Sequence, residues 1–270
     1  MLGVLAGGGP LPRQIVEACL SAERPVYVVA FDGITDATTV EGVGHTWQRL
    51  AAVGGTINTL KKVGAEELVL AGHIARPSLS SLRPDWRGMT LLPKLMAAGQ
   101  GDDAILTTVL AELEGEGFRI LGAHDVLPDL LAMPGMIAGS RPGKSDEADI
   151  ARGIAVVRAL SEIDVGQAAV VQQGIVLAVE AIEGTDAMLA RCKGLKRDGG
   201  GGVLVKCCKR GQDKRIDMPT IGPHTVEGAV TARLAGIAVE AGATLVLEQM
   251  RVVQFANDAG LFVVGIDASV

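Results

Sequence analysis

The chain has 270 residues, 48% of them hydrophobic and 21% charged, which is the balance of a globular protein with one large or two smaller domains. Its net charge is −6 and no run of five like charges occurs, so a nucleic-acid partner is not expected. The first residues, MLGVLAGGGPLP, lack the basic segment and long apolar core of a signal peptide, and no stretch is long enough for a membrane span. We therefore expect a soluble, cytoplasmic protein.

The first half of the chain alternates apolar runs with helical patterns. Short apolar runs at 2–6, 25–31 and 66–72 predict buried strands, and apolar residues at helical spacing predict helices over 11–22 and 56–63. A third helix is expected over 103–116, followed by a strand in EGFRILGAHDVL. Strand–helix–strand alternation is typical of a parallel sheet, so residues 1–127 are predicted to form an N-terminal Rossmann-like domain.

The second half is predicted to be a C-terminal α/β domain over 147–270, joined to the first by a linker at 128–146 that is rich in Pro and Gly. The linker also carries Leu and Met residues, which either pack on both domains or on a second subunit, or line an apolar cavity for a ligand with hydrocarbon chains. The domain is expected to contain a helix over 147–163, strands in AAVVQ, IVLAVEAIE and GGVLVK, a long helix over 225–241, and strands in ATLVLE and LFVVGID separated by a helix. Junctions between domains are favoured places for small-molecule sites.

A glycine-rich turn follows the first predicted strand. Gly7, Gly8 and Gly9 resemble the start of a dinucleotide-binding fingerprint, but Pro12 stands where its third glycine belongs. A proline suits the first turn of a helix, so backbone amides and the helix dipole could still hold a phosphate here. Asp32 follows the second strand, where a ribose-binding acid would lie, which leaves a nicotinamide-dependent oxidoreductase as an alternative. The segment GSRPGKS lacks the first glycine of a P-loop and follows no predicted strand.

The candidate metal ligands are carboxylates. The four histidines are scattered without zinc spacing, and the four cysteines form no CxxC pair and are expected to be reduced thiols. Glu183 and Asp186 follow a predicted strand, and Asp217 follows another after a polar turn. Carboxylates at strand ends, with Lys206 and the glycine turn, favour phosphate chemistry with Mg²⁺. In GDDA, Asp102 and Asp103 either cap the 103–116 helix or belong to the site.

Several blocks together resemble the UDP-2,3-diacylglucosamine pyrophosphatase family of the LpxI type, which acts in lipid A synthesis. The resemblance runs from the first strand to the last, and its most specific parts are EGTDAML and DMPTIG; the others are LAGGGPLP, AGHIARPSL, GDDAIL, EGFRILGAHDVL and VKCCKRGQDKRI. It implies two domains, a homodimer, and Mg²⁺-dependent hydrolysis of the diphosphate of UDP-2,3-diacylglucosamine, with attack at the β-phosphorus and release of UMP and 2,3-diacylglucosamine 1-phosphate.

The resemblance also assigns roles to residues. The acid of the family's D-x-P-T-I-G block is regarded as catalytic, and that position is Asp217. From the residues themselves we expect Asp217 to hold the metal or orient the water, with Glu183 and Asp186 as second carboxylates for the ion or its waters. Substrate contacts are expected at Gly8, Gly9, Pro10, Leu11, Gly72, His73, Asp102, Asp103, Thr185, Lys206 and Thr220. A protein that takes a lipid substrate without an anchor is expected to meet the bilayer surface only briefly. A non-catalytic nucleotide or lipid carrier remains the other alternative.

Overall fold

The computed structural model describes residues 1–74, 84–97, 102–209 and 211–268, with the backbone alone at 92, 94–97 and 102–104. The chain divides into two compact units. The N-terminal unit comprises Met1–Pro128 together with Asp213–Asp217, and the C-terminal unit comprises Asp129–Gln212 and Met218–Val270. The chain therefore leaves the C-terminal unit once, for the five residues that end at Asp217, and then returns to it.

The N-terminal unit is built on a parallel five-stranded sheet in the order β3-β2-β1-β4-β5. The strands are β1 Leu2–Ala6, β2 Val26–Phe31, β3 Gly44–Gln48, β4 Glu67–Ala71 and β5 Arg119–Leu121. The helices are α1 Pro10–Ser21, α2 Val53–Lys62, α3 Trp86–Ala97, α4 Asp102–Gly115 and α5 Ala123–Val126, with a 3₁₀ turn at Ala37–Val40. The central strands are almost wholly buried, as their continuous apolar sequences require. The predicted parallel α/β sheet is thus confirmed.

The C-terminal unit contains a mixed six-stranded sheet in the order β6-β13-β11-β9-β7-β8 and a parallel pair, β10 and β12. Its strands are β6 Gly135–Ala138, β7 Ala168–Gln172, β8 Ile175–Val179, β9 Val203–Lys206, β10 Thr220–Ile221, β11 Gly236–Glu240, β12 Leu245–Val246 and β13 Phe262–Ile266. Its helices are α6 Lys144–Ser161, α7 Gly184–Cys192, α8 Pro223–Thr231 and α9 Gln249–Asp258, with a 3₁₀ turn at Pro128–Leu130. Strands β9, β11 and β13 run parallel, whereas β7 pairs antiparallel with both β8 and β9.

The mixed sheet is covered on both faces because alternate residues of its central strands point to opposite sides. Val203 and Val205 of β9 join a core with α6, whereas Leu204 between them joins a core with α7, α8 and α9. The sheet thus forms the middle of three layers, between α6 on one face and α7, α8 and α9 on the other. Lys206 is the last residue of β9 and lies at the carboxyl end of this strand.

The long helix predicted over 225–241 is wrong. Helix α8 ends at Thr231, and Gly236–Glu240 forms the central strand β11. Arg233 adopts a left-handed conformation with φ 56°, which a continuing helix does not allow. The ring of Phe262 lies where a Cβ at Gly236 would be, so the glycine that weakens a helix is here required for strand packing.

The predicted linker at 128–146 contains regular structure instead. Strand β6 pairs antiparallel with β13 at the sheet edge, and α6 begins at Lys144. The backbone of Met133 crosses directly over Gly265, while the Met133 side chain is 70% exposed. Met136 and Ile137 of the predicted linker therefore belong to the edge strand of the C-terminal sheet. No helix within the described ranges combines the length and apolar character that a bilayer-spanning segment needs.

Candidate functional site

The glycine turn after β1 and the turn after β4 are joined by backbone hydrogen bonds. Gly7 N–H donates to the Ala71 carbonyl at 2.7 Å, and Gly8 and His73 exchange two bonds of 2.8 and 2.9 Å. Gly72 has φ 90°, and a Cβ there would lie 2.6 Å from the carbonyl oxygen of Gly8. These two turns, which carry several of the expected substrate contacts, thus meet at the carboxyl ends of neighbouring strands.

The amides of the glycine turn already have partners. Gly9, with φ 85°, donates its N–H to Asp36 Oδ2 at 2.9 Å. Pro10 and Pro12 have no N–H, so Leu11 is the residue between them that still has an amide to offer at the start of α1. Phosphate binding by the loop amides, which the sequence favoured, would therefore have to displace the Asp36 carboxylate.

Asp102 and Asp103 form the first turn of α4. Their side chains lie outside the described residues, as do residues 75–79 of the AGHIARPSL block. The predicted roles of the two acids stay predictions.

The segment that ends at Asp217 is held on the N-terminal unit by an ion-pair network and by apolar packing. Arg215 donates to both carboxylate oxygens of Asp213 and, through Nη1, to Glu114 Oε1 of α4 at 2.7 Å. Hydrogen bonds from Arg215 lower the pKa of Asp213, and the bonds to Asp213 and Glu114 raise the pKa of Arg215. Ile216 packs against the core of the N-terminal unit, and Asp217 N–H donates to the Asp213 carbonyl at 3.2 Å. The half-buried Asp217 therefore ends a short, well-supported turn.

Lys206, Thr185 and Thr220 come together in the C-terminal unit. The Lys206 side chain is buried, and its Nζ donates to Thr185 Oγ1 at 2.9 Å and to the Thr220 carbonyl at 3.0 Å. Thr185 Oγ1 in turn donates to Glu180 Oε1 at 2.6 Å, and Glu180 Oε2 accepts the Gln167 N–H at 3.0 Å. A chain of hydrogen bonds thus connects a buried acid, a hydroxyl and a buried ammonium to the backbone three residues after Asp217.

Glu183 is placed differently from expectation, whereas Asp186 lies at the start of a helix, as predicted. Strand β8 ends at Val179, so Glu183 does not end a strand but precedes α7 on an exposed turn. The Glu183 carboxylate accepts a hydrogen bond from Arg191 Nη2 at 2.7 Å, and this bond lowers the pKa of Glu183. Asp186 is exposed in the first turn of α7.

A metal held by protein ligands alone has no preformed cage here, because the described residues contain no group of three or more His, Cys, Asp or Glu side chains suited to one. Of the three expected ligands, Glu183 fits poorly because Arg191 already neutralises it. Asp217 and Asp186 are carboxylates and therefore hard oxygen donors, and Mg²⁺ is commonly held by one or two carboxylates together with substrate phosphate oxygens.

Comparison with known proteins identifies the family. Residues 1–130 match the family model of the LpxI N-terminal domain, and residues 133–264 match that of the LpxI C-terminal domain. The chain is also 41% identical, over 273 aligned positions, to UDP-2,3-diacylglucosamine pyrophosphatase LpxI of Caulobacter vibrioides; the match covers 98% of this chain and 97% of that protein. The chain belongs to the LpxI family. The resemblance of the sequence blocks is confirmed at this level.

Every candidate residue of this LpxI chain lies within one of the two matched domains. Two residues that contact candidate residues were missed from the sequence, Asp36 and Glu180. Glu114 was missed as well, and it binds Arg215, two residues before Asp217. Nothing in the local pattern around Asp36 or Glu114 marks them. Glu180 left a faint signal, since it is a lone acid directly after the apolar strand β8.

Proposed function

We propose that this LpxI chain hydrolyses the diphosphate of UDP-2,3-diacylglucosamine to 2,3-diacylglucosamine 1-phosphate and UMP, a step of lipid A biosynthesis. The observation that carries the proposal is the 41% identity, over nearly the whole of both chains, to a protein named for that pyrophosphatase activity. Because both domains match the family, the activity is proposed for the chain as a whole.

The N-terminal unit is proposed to be Rossmann-like and to receive the nucleotide end of the substrate. Its strand order, β3-β2-β1-β4-β5, is that of doubly wound dinucleotide-binding sheets, whose ligands bind where the order reverses, between β1 and β4. The turns of Gly8–Leu11 and Gly72–His73 follow these two strands. Since the Gly9 amide is bonded to Asp36, we infer that contact with the nucleotide here depends more on the close-packed backbone surface than on a ring of free amides.

Asp217 is proposed as the catalytic carboxylate. In the reaction, a water oxygen forms a bond to the β-phosphorus, the bond from that phosphorus to the bridging oxygen breaks, and UMP leaves with that oxygen. Hydrolysis of a phosphoanhydride requires that the water be oriented and that the growing negative charge be neutralised. A carboxylate at a supported turn is suited to orient the water and accept its proton.

Magnesium is proposed as the cofactor, with Asp217 and Asp186 as the protein ligands and Glu183 set aside because of its bond to Arg191. When bound, the ion would supply charge neutralisation at the diphosphate oxygens. The homodimer, the cytoplasmic location and a brief contact with the bilayer surface are also proposed, on the family resemblance alone.

Incubation of the purified protein with UDP-2,3-diacylglucosamine and Mg²⁺, followed by detection of UMP, tests the proposal. We expect UMP and the lipid phosphate in equal amounts, no turnover in EDTA, and recovery when Mg²⁺ is restored. Full activity in EDTA would contradict the assignment of Mg²⁺ as cofactor but not the hydrolase activity. Co-purified or added substrate that stays intact would instead favour a carrier, and NADH binding that depends on Asp32 would favour an oxidoreductase.

A further inference from the structure

Glu180 is a buried carboxylate for which the reaction as described has no use. It is 7% exposed and lies directly after β8, with both carboxylate oxygens bonded. One oxygen accepts the Gln167 N–H and the other accepts the Thr185 hydroxyl. A buried acid that is satisfied in this way costs free energy to desolvate, so its position calls for a physical reason.

The reason lies at the other end of the hydrogen-bond chain. Because the Thr185 hydroxyl gives its proton to Glu180, its oxygen is left as an acceptor towards Lys206 Nζ. Lys206 then donates to the Thr220 carbonyl at 3.0 Å. The buried negative charge of Glu180 thereby compensates the buried positive charge of Lys206 through a single hydroxyl, over bonds that charged groups strengthen.

The same stretch of backbone is bonded on both sides of Thr220. Leu245 N–H donates to the Pro219 carbonyl at 2.8 Å, and Leu247 N–H donates to the Ile221 carbonyl at 2.9 Å. Lys206 therefore adds a side-chain bond between two strand bonds, in the segment directly after Asp217. The Lys206 ammonium donates two of its N–H groups to protein acceptors, Thr185 Oγ1 and the Thr220 carbonyl, so its main role is to stabilise this backbone.

We propose that Glu180 is a positioning residue: through Thr185 and Lys206 it fixes the backbone of Met218–Ile221, the segment that follows Asp217 directly in the chain. This inference rests on the proposed function of Asp217. It also changes the expected role of Thr185, whose hydroxyl proton goes to Glu180 rather than to a substrate phosphate.

The test compares Glu180→Gln and Thr185→Val with Thr185→Ser. Loss of one buried charge-assisted hydrogen bond is expected to lower kcat about 10- to 100-fold with KM changed less than about twofold, because the bonds that are removed run between protein groups. Thr185→Ser keeps the hydroxyl and should stay within about threefold of the parent kcat. Amide hydrogen exchange at Leu245 and Leu247 should quicken in Glu180→Gln and Thr185→Val, which is a readout that needs no turnover.

Asp149→Asn is the matched control. Asp149 is a 1% exposed carboxylate of the same unit that accepts the Gln173 and Gly174 N–H groups in the β7–β8 turn, so its loss should lower stability but leave kcat unchanged. Parent protein that releases no UMP would overturn the proposed function, whereas the exchange result at Leu245 and Leu247 would still decide the positioning role. Unchanged kcat and exchange in Glu180→Gln, a rise in KM alone, or an equal loss of kcat in Asp149→Asn would overturn the inference.

Discussion

Replacing Gly72 by alanine should disturb the junction of the two turns in the N-terminal unit. Gly72 has φ 90°, and an added Cβ would lie 2.6 Å from the Gly8 carbonyl oxygen and 2.8 Å from Pro12 Cγ. The positive φ would strain the backbone of an alanine at this position. The added Cβ would also collide with the backbone of Gly8, which has little room to move because both its N–H and its carbonyl are bonded to His73.

Gly64→Ala separates the two effects. Gly64 follows α2 with φ 74°, and nothing lies within 4 Å of an added Cβ, so this variant carries the strain without the collision. The left-handed conformation costs a non-glycine residue about 1–2 kcal/mol. Overpacking adds about 1–3 kcal/mol, so Gly72→Ala should lose about 2–5 kcal/mol of unfolding free energy.

Both tryptophans of the chain, Trp47 and Trp86, belong to the N-terminal unit, so their fluorescence during guanidinium unfolding follows this unit. UMP release should fall about 100-fold in Gly72→Ala, since displacement of a binding turn by about 1 Å has effects of that size. Gly64→Ala should keep parental activity. Equal losses of stability and activity in the two variants would refute the assignment of a tight, functional junction.

Three further predictions follow from the ion pairs and the cysteines. Arg215→Met should lower kcat about tenfold or more, measured as UMP release, because it frees the turn that ends at Asp217 from Glu114; parental kcat would contradict that support. Arg215 lowers the pKa of Asp213, so the stability that this pair contributes is fully present above about pH 4, the ordinary pKa of Asp, and is lost as the pH falls through the lower pKa of the folded protein. The unfolding free energies of the parent and Arg215→Met should therefore converge in acid. A difference that stays constant with pH would exclude this linkage. Burial raises the pKa of Cys207 to about 12, so this thiol should react with a disulfide reagent at pH 8 only after unfolding, and rapid labelling of folded protein by mass spectrometry would contradict its burial.

The elements that were predictable are those whose local sequence determines their environment. Strands β1, β2 and β4 are continuous apolar runs, which only a doubly covered sheet can bury, and α1 and α6 show helical spacing. Strand β3, GHTWQ, is a half-exposed edge and shows no apolar run. Strand β11 was predicted as part of a helix because its Gly and Ala residues allow either state. The packing of the Phe262 ring against Gly236, which favours the strand, exists only in the folded sheet.

The candidate site was predictable to the extent that its residues lie in distinctive blocks. Thr185, Lys206 and Thr220 were each singled out from the sequence, and the structure brings the three together. Glu180 is not predictable as a site residue, because its role depends on partners that are distant in the chain. Glu183 was predicted as a metal ligand because the sequence places the end of β8 four residues too late. A carboxylate paired with arginine and one joined to a lysine cannot be distinguished by spacing alone.

The most direct test of the account is turnover by Asp217→Asn, in which the side chain keeps its shape and loses its charge. With purified protein, UDP-2,3-diacylglucosamine and Mg²⁺, we predict that UMP release falls by about 10²–10⁴-fold, the range for loss of a general acid or base, while circular dichroism and substrate affinity stay at parental values. UMP release at a rate close to that of the parent protein would contradict the role of Asp217.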